Sequence, residues 1–325
     1  MKLAQELFSL IGEALVEVEA GLRAALDDAS PHAREVLMHL AESGGKRVRP
    51  VLSLLSAASL RGEPEPAIPV AVAAEMIHMA TLVHDDVIDR AETRRGRKTV
   101  NQIWGNHVSV LAGDALLAKA LIILVERTSG EIVRIMSDMI YRMCEGEIAQ
   151  HASQHDMYQE EQEYFDRIEK KTALFFAACC KAGALMGGAS AEQAEALWRY
   201  GRHLGMAFQV VDDLLDVSAE AQVVGKPVGN DLRSGILTLP VLHTLRAEGY
   251  RGEAAALIGK GEAITGPEIQ RVLELVRTRG SVEYAFDVAR RFTEQAKEAL
   301  SDFEGSGDVK EMLLQIADGV LNRSF

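Results

Sequence analysis

The sequence predicts an all-α protein. Only 8 of its 325 residues are proline, 48% are hydrophobic, and alanine and leucine dominate the apolar set. Apolar side chains recur at helical spacing over long stretches, whereas the alternation typical of β-strands is scarce. No Pro/Gly/Ser-rich linker or short repeat divides the chain, so residues 1–325 are expected to form a single domain.

Net charge and cysteine content exclude several functional classes for this protein. The net charge of −13 opposes nucleic-acid binding, because a polyanion needs a basic face, but a phosphorylated small molecule needs only a local basic pocket. Three cysteines are too few for a disulfide framework and indicate a reducing compartment. The N-terminus lacks a secretory signal, and charged residues break the apolar runs at 67–80 and 111–125. We therefore expect a cytoplasmic protein without a membrane span.

Helical patterns follow one another along the chain. The first covers residues 1–28, and the second starts at Pro31, a residue that suits a first helical turn, and runs to Glu42. Further helices are predicted over 51–60, 67–90, 106–127, 131–151, 158–187 and 191–217, and residues 231–248 contain the segment 235–240 and then another helix. The last part, about 252–322, alternates helical stretches with glycine-containing breaks and shows no candidate chemistry.

Two acidic stretches of the form DDxxD organise the candidate site. One runs from Asp85 to Asp89 and the other from Asp212 to Asp216. At about 3.6 residues per turn, the first and last aspartates of each motif lie one above the other on a helix. A hard cation such as Mg²⁺ stabilises oxygen-rich clusters and leaves positions for water and phosphate oxygens. We expect the motifs to face each other and to hold Mg²⁺ between them and a diphosphate. A solvated helix end is the alternative for either motif alone.

Basic residues lie near both motifs. In the loop 43–50, two glycines allow a close backbone approach, and Lys46 and Arg49 stand at a helix N-terminus, where a bound anion is favoured. Arg94 and Arg95 follow the first motif and are suited to bidentate phosphate binding. A solvated basic turn and a structural ion-pair patch are the respective alternatives.

Three further polar positions interrupt or follow apolar helices. His78 lies seven positions before Asp85, on nearly the same helix face, so a ligand-facing residue and a satisfied core histidine are both open. Lys171 and Thr172 enter an apolar helix, where they either reach a phosphate or extend to the surface. Lys226 adds a cation in the loop after the second motif.

Together these motifs resemble the trans-isoprenyl diphosphate synthases, or polyprenyl synthetases. The matching features are the segment Gly44-Gly45-Lys46-Arg47-Val48-Arg49-Pro50, both DDxxD motifs, Lys171-Thr172 and Gly225-Lys226. The resemblance covers roughly residues 30–245 by motif. It implies the isoprenoid synthase fold, a single large helical bundle around a deep central cavity, usually as a homodimer.

The resemblance also implies a role for each matching residue. Isopentenyl diphosphate would be bound by Lys46, Arg49, His78 and Arg95. The allylic diphosphate would be contacted by Arg94, Lys171, Thr172, Gln209 and Lys226. Three Mg²⁺ ions would be held by Asp85, Asp89, Asp212 and Asp216. The catalytic groups Asp85, Asp89, Lys171 and Asp212 would stabilise the departing diphosphate, after which the isopentenyl double bond attacks the allylic cation and a proton is lost.

Product length is expected to depend on the residues before the first motif. In the family, aromatic residues four and five positions ahead of it stop growth early, whereas Thr81 and Ala80 are small here. We therefore expect a long product, about C30 to C50, from an apolar channel of this kind.

Several other functions remain open from the sequence. A short-chain synthase and the catalytic subunit of a heteromeric heptaprenyl diphosphate synthase with a small partner are the nearest alternatives. Ile236 stands where many relatives carry a lysine that contacts the allylic diphosphate. A class I terpene cyclase fits less well, because such enzymes usually have one DDxxD motif and no GGKxxRP loop.

Overall fold

The prediction of an all-α protein is confirmed. The computed structural model of the chain describes residues 2–42, 44–218, 229–249 and 252–322. The α-helices in these ranges are α1 (Lys2–Asp27), α2 (Pro31–Ala41), α3 (Val48–Arg61), α4 (Ile68–Ile88), α5 (Val100–Arg127), α6 (Gly130–Ala152), α7 (Glu161–Ile168), α8 (Leu174–Met186), α9 (Ala191–Ser218), α10 (Asn230–Arg233), α11 (Leu239–Glu248), α12 (Glu253–Ile258), α13 (Gly266–Thr278), α14 (Ser281–Glu298) and α15 (Gly307–Leu321). Short 3₁₀ turns cover Glu65–Ala67 and Gly261–Ala263, and a π-helical segment covers Glu169–Ala173.

The chain groups into two compact units, each built from segments distant in sequence. Unit 1 comprises residues 1–137, 178–197 and 303–313, and unit 2 comprises residues 138–177, 198–302 and 314–325. The single-domain organisation stays a prediction.

Close packing of α8 on α3 stabilises unit 1. Leu52, Leu54 and Leu55 of α3 are completely buried. A Cβ atom at Gly183 of α8 would lie 2.2 Å from the carbonyl oxygen of Ser53, a separation that real side chains do not show. Glycine at this position therefore allows the two helices to approach each other more closely than any other residue would permit.

The basic loop predicted after the first motif contains a small antiparallel hairpin. Its strands are β1 (Thr93–Arg94) and β2 (Arg97–Lys98), and the two connecting residues, Arg95 and Gly96, have φ angles of 52° and 77°. Two positive φ angles are typical of the type I′ turn, whose twist matches that of the paired strands. The hairpin therefore holds Arg94 and Arg95 in defined positions.

Two of the predicted helices differ from their expected bounds. The helix expected from residue 106 begins at Val100, and Gly105, with φ of 83° and ψ of 164°, kinks it. The helix expected over 158–187 begins at Glu161 and changes to π geometry at Glu169–Ala173 before continuing as α8. Hydrophobic periodicity does not reveal either irregularity, because both preserve the apolar pattern on each side.

Two helical segments of unit 1 are long and apolar enough to meet the criteria for a membrane span. The first, Glu65–Ile88, includes α4, and 67% of its most apolar 18-residue stretch is buried, as in a core helix. In the second, Val100–Arg127, 33% of the corresponding stretch is buried. Length and composition are shared by core helices and membrane helices, so the absence of a span stays a prediction.

Candidate active site

The first aspartate motif lies at the end of α4 in unit 1. Asp85 is half-buried and Asp89, the residue that follows the helix, is exposed. The middle residue, Asp86, is only 3% exposed, and its Oδ1 accepts hydrogen bonds from Nε and Nη2 of Arg94, each at 2.8 Å. Asp86 therefore attaches the hairpin to the helix, whereas the first and last aspartates are more exposed to solvent.

A pocket with about 550 Å³ of empty space adjoins this motif within unit 1. Its charged and polar lining includes Arg47, Glu75, His78, Asp86, Arg94 and Arg95. Burial and the nearby guanidinium groups, first that of Arg49, hold the pKa of His78 down at about 2. His78 is therefore neutral at neutral pH, and the arginines give the pocket an excess of positive charge. Such a pocket suits a diphosphate.

The residues expected to bind isopentenyl diphosphate have different positions in unit 1. Arg49 is in the first turn of α3, and its positive charge is close enough to His78 to lower the pKa of the imidazole. Arg95 lies at the hairpin turn and also lowers that pKa. Lys46 is exposed in the loop before α3. The structure thus brings three of these four side chains into one electrostatic cluster.

Sequence reasoning missed an ion pair beside this pocket. Nη1 of Arg47 donates to Oε1 of Glu75 at 2.6 Å, and Nη2 donates to Oε2 of Glu19 at 3.1 Å. A Cβ atom at Gly45 would lie 3.1 Å from Nη1 of Arg47 and 3.2 Å from Nη1 of Arg95. The second glycine of the loop therefore leaves room for two guanidinium groups. The available signal was Glu75, an acidic residue within the apolar pattern of α4.

The second aspartate motif lies on α9 in unit 2 and repeats the arrangement of the first. Asp212 is exposed and Asp216 is half-buried. The middle residue, Asp213, is 5% exposed and accepts hydrogen bonds from the Tyr164 hydroxyl at 2.7 Å and from Nε2 of Gln209 at 2.8 Å. Asp213 is thus held by protein donors, whereas the first and last aspartates of the motif, Asp212 and Asp216, are more accessible to solvent.

The π-helical segment positions two predicted substrate contacts in unit 2. Nζ of Lys171 lies 2.6 Å from Oε2 of Glu147, and the Thr172 hydroxyl donates to Oε1 of Gln209 at 2.8 Å. Because Gln209 in turn donates to Asp213, a continuous chain of hydrogen bonds fixes Thr172, whereas Lys171 is held by Glu147 and Gln150 of α6. Single π turns inside α-helices occur frequently at functional sites.

Asp231 belongs to the second acidic cluster and was also missed. Burial, with repulsion from Asp213, Asp216 and Asp212, raises its pKa to about 8. The Asp216 carboxylate accepts the backbone N–H groups of Asn230 and Asp231, each at 3.3 Å, and so holds α10 beside α9. The available signal was an aspartate in the short DLxxG segment, which lies well after the motif in sequence.

These carboxylates have the chemistry of a site for a hard divalent cation. Burial raises the pKa of Asp216, and burial raises that of Asp213 to about 6, with repulsion from Asp212 adding to both effects. A bound cation would relieve that cost. Among the described residues, no three acidic, histidine or cysteine side chains form a complete metal cluster by themselves. Carboxylate oxygens are the ligands that Mg²⁺ takes from proteins, one or two at a time, with water and phosphate completing its shell.

Two positions bear on the remaining predicted contacts. Lys226 lies outside the described residues. Ile236 brings no positive charge to the segment after α10, where its backbone N–H donates to the Asp231 carbonyl at 2.8 Å.

The helical fold and the paired acidic motifs define a prenyl-transferring enzyme of the isoprenoid synthase fold. Residues 30–276 match the polyprenyl synthetase family, and the chain belongs to that family. It is a polyprenyl diphosphate synthase, and enzymes of this family use divalent metal ions.

Individual relatives differ in the product named for them. A short chain isoprenyl diphosphate synthase of Methanothermobacter thermautotrophicus is 38% identical over 93% of this chain and 94% of its own length. Heptaprenyl diphosphate synthase component 2 of Geobacillus stearothermophilus is 35% identical over 97% of this chain and 98% of its own. The crystal structure of a polyprenyl synthase from Caulobacter crescentus, complexed with calcium and isoprenyl diphosphate, is 33% identical, with a TM-score of 0.91 over 99% of this chain and 98% of that one.

Proposed function

We propose that this chain condenses isopentenyl diphosphate with an allylic diphosphate and extends the product to a long-chain polyprenyl diphosphate, about C30 to C50. The observation that carries the chain length is Ala80, a small residue on α4 that is 2% exposed and lies five positions before the first aspartate of the motif. Thr81 beside it is also small, and its hydroxyl donates to the His78 carbonyl at 2.8 Å. No aromatic side chain therefore stands at either position to stop growth.

The basic pocket of unit 1 supports a site for isopentenyl diphosphate. We assign its diphosphate to Lys46, Arg49, His78 and Arg95. The arginines supply bidentate donors, and the neutral imidazole of His78 offers one N–H donor without adding charge. The Arg47–Glu75 pair holds the glycine loop beside these groups.

The hydrogen-bonded chain of unit 2 supports a site for the allylic diphosphate. We assign this substrate to Arg94, Lys171, Thr172, Gln209 and Lys226. Lys171 and Thr172 project from the π segment, and Gln209 is held by its bonds to Thr172 and Asp213. Groups fixed in this way lose little freedom when substrate binds, which favours ionisation of a correctly placed allylic C–O bond.

Charge stabilisation is the chemistry that these residues provide. Three Mg²⁺ ions would be held by Asp85, Asp89, Asp212 and Asp216. They would supply positive charge to the departing diphosphate. Lys171 and the arginines neutralise the charge that develops on the leaving oxygen as the C–O bond breaks. The isopentenyl double bond then attacks the allylic cation, and the released diphosphate accepts the proton lost from the product.

A product assay on the purified chain tests the proposal. Mg²⁺, labelled isopentenyl diphosphate and farnesyl diphosphate are supplied, and the dephosphorylated products are sized. We expect a ladder of products that ends at C30 or beyond. A ladder that stops at C15 or C20 would retain the enzyme class and refute the long-chain assignment.

Enlarging Ala80 is expected to shorten the product. Ala80→Val and Ala80→Phe place progressively larger side chains at this buried position of α4, so the longest product should fall in steps, to about C15–C20 for phenylalanine. Because overpacking a buried site costs about 1–3 kcal/mol, thermal unfolding and the rate of the first condensation serve as controls. If the first condensation proceeds at its normal rate and the distribution of product lengths is unchanged, the side chain at position 80 does not set product length.

An exposed apolar face on α5 supports an assembly. Ile103, Val110, Leu111, Ile122 and Val125 are 42–65% exposed although they belong to a helix of high hydropathy. Apolar surface of this kind is typical of a protein interface. We assign it to a cytoplasmic homodimer.

A small partner subunit is the second candidate for this assembly, because a heptaprenyl diphosphate synthase component 2 is among the relatives. Mass measurement of the active species separates the two. A chain that is active alone as a dimer excludes the requirement for a partner.

A further inference from the structure

Arg167 is a buried arginine of α7 to which the proposed chemistry gives no role. Its side chain is 5% exposed, and its two terminal nitrogens donate to Oε1 of Gln159 at 3.2 Å and to the Leu237 carbonyl at 2.8 Å. The guanidinium also lies 5.4 Å from the ring centre of Tyr164, whose hydroxyl binds Asp213. Among the described residues, both acceptors of this guanidinium are neutral oxygens.

The surroundings of Arg167 explain why a charge is tolerated there. Burial lowers its pKa, and Asp213 and Asp231 oppose that shift through their negative charge. An arginine remains charged even at such sites, and a buried charge is costly unless opposite charge lies close by. The acidic cluster of unit 2 thus stabilises Arg167 through space, while its hydrogen bonds join Gln159, just before α7, to Leu237, in the segment beyond α10.

The segment 230–237 is held at both ends. The Asp216 carboxylate accepts two backbone N–H groups at its start, and Arg167 binds the Leu237 carbonyl at its end. Between these points lies Asp231, which faces the motif aspartates, and Ile236 contributes no cation of its own.

We propose that Arg167 is a positioning residue for the second metal-binding cluster. By joining Gln159 to the Leu237 carbonyl, it fixes the segment that places Asp231 beside Asp212 and Asp216. The inference rests on the proposed function in one respect, namely that this cluster receives Mg²⁺ and a diphosphate.

Metal-dependent substrate binding tests this role without requiring turnover. Farnesyl diphosphate is titrated into the full-length chain at a series of Mg²⁺ concentrations, without isopentenyl diphosphate. We expect Arg167→Met to raise the half-saturating Mg²⁺ concentration about tenfold, the effect expected from the loss of one charge-assisted hydrogen bond. Arg167→Lys should raise it less, because lysine keeps the positive charge. Arg246→Met is the matched control, because Arg246 also joins α11 to the start of α7, through Glu161 at 2.9 Å, but on the surface. It should change the Mg²⁺ requirement less than about twofold.

The outcomes separate positioning from other effects. An unchanged Mg²⁺ requirement, or equal effects of Arg167→Met and Arg246→Met, would reduce Arg167 to a packing residue. A lower requirement would show that it only repels the cation, and would also overturn the inference. If Arg167→Met does not fold, Arg167→Lys carries the test, with an increase of about threefold expected from the loss of the forked donor. Wild-type chain that binds farnesyl diphosphate but forms no product would refute the proposed function and leave this comparison intact; failure to bind would refute both.

Discussion

Replacing Asp212 with asparagine is expected to lower the condensation rate by about 10³-fold. Asp212 is exposed, and its negative charge raises the pKa values of Asp213, Asp216 and Asp231. It is therefore close enough to these carboxylates to act on them electrostatically. Asparagine keeps the size of the side chain but removes the charge that would bind the metal, so the leaving diphosphate would lose much of its stabilisation. The rate is measured with saturating isopentenyl diphosphate and farnesyl diphosphate.

The neighbouring residue provides a matched control. Asp213 is buried and its two oxygens already accept hydrogen bonds from Tyr164 and Gln209. Asp213→Asn removes a charge of the same sign one position away, and its single amide oxygen keeps one of the two hydrogen bonds. Asp212 and Asp216 keep the oxygens proposed to hold the metal, so the rate should fall by no more than about tenfold. Equal losses in the two variants would mean that the motif acts through its total charge and not through particular metal ligands.

Replacing Gly183 with alanine is expected to destabilise the protein by about 3 kcal/mol, the upper part of the range for overpacking. The added Cβ would lie 2.2 Å from the Ser53 carbonyl oxygen, and this neighbour is backbone, which cannot rotate away. Helix α8 must therefore move away from α3, and the leucines of that interface lose contacts. The free energy of unfolding is measured by chemical denaturation.

Gly319 of α15 is the control for helix propensity. A Cβ atom there would meet nothing within 4 Å. Gly319→Ala should therefore stabilise the protein by about 0.5–1 kcal/mol, because alanine loses less conformational freedom in a helix. The two substitutions are chemically identical and have opposite predicted signs. A similar change in both would indicate that the close approach of α8 and α3 relaxes at little cost.

Long helices and motif residues could be predicted from the sequence because each depends on local spacing. The pattern that placed Asp85 in the last turn of α4 with Asp89 directly after the helix, and Asp212 with Asp216 on α9, needs only the helical repeat. The same reasoning identified Lys171 and Thr172 as polar exceptions in an apolar helix.

The residues that were missed depend on contacts between distant parts of the chain. Asp231 reaches the second motif only because α10 returns beside α9, and residues 219–228 separate the two in sequence. The opposite roles of Asp86 and Asp85 follow from which face of α4 meets Arg94, and spacing does not reveal this. The π segment interrupts a helix whose apolar pattern continues on both sides, so periodicity gives no sign of it.

The packing of α8 on α3 also bears on when the protein can fold during synthesis. The basic pocket is lined by residues 39–100, all of which leave the ribosome early. The helix against which α3 packs, α8, emerges much later, and the hydrogen bond from Ser306 to the Ser59 carbonyl, at 2.7 Å, requires synthesis as far as residue 306. A nascent chain therefore carries the side chains that line the basic pocket long before unit 1 can close around them. Completion of this half of the enzyme depends on a segment made about 200 residues after the pocket.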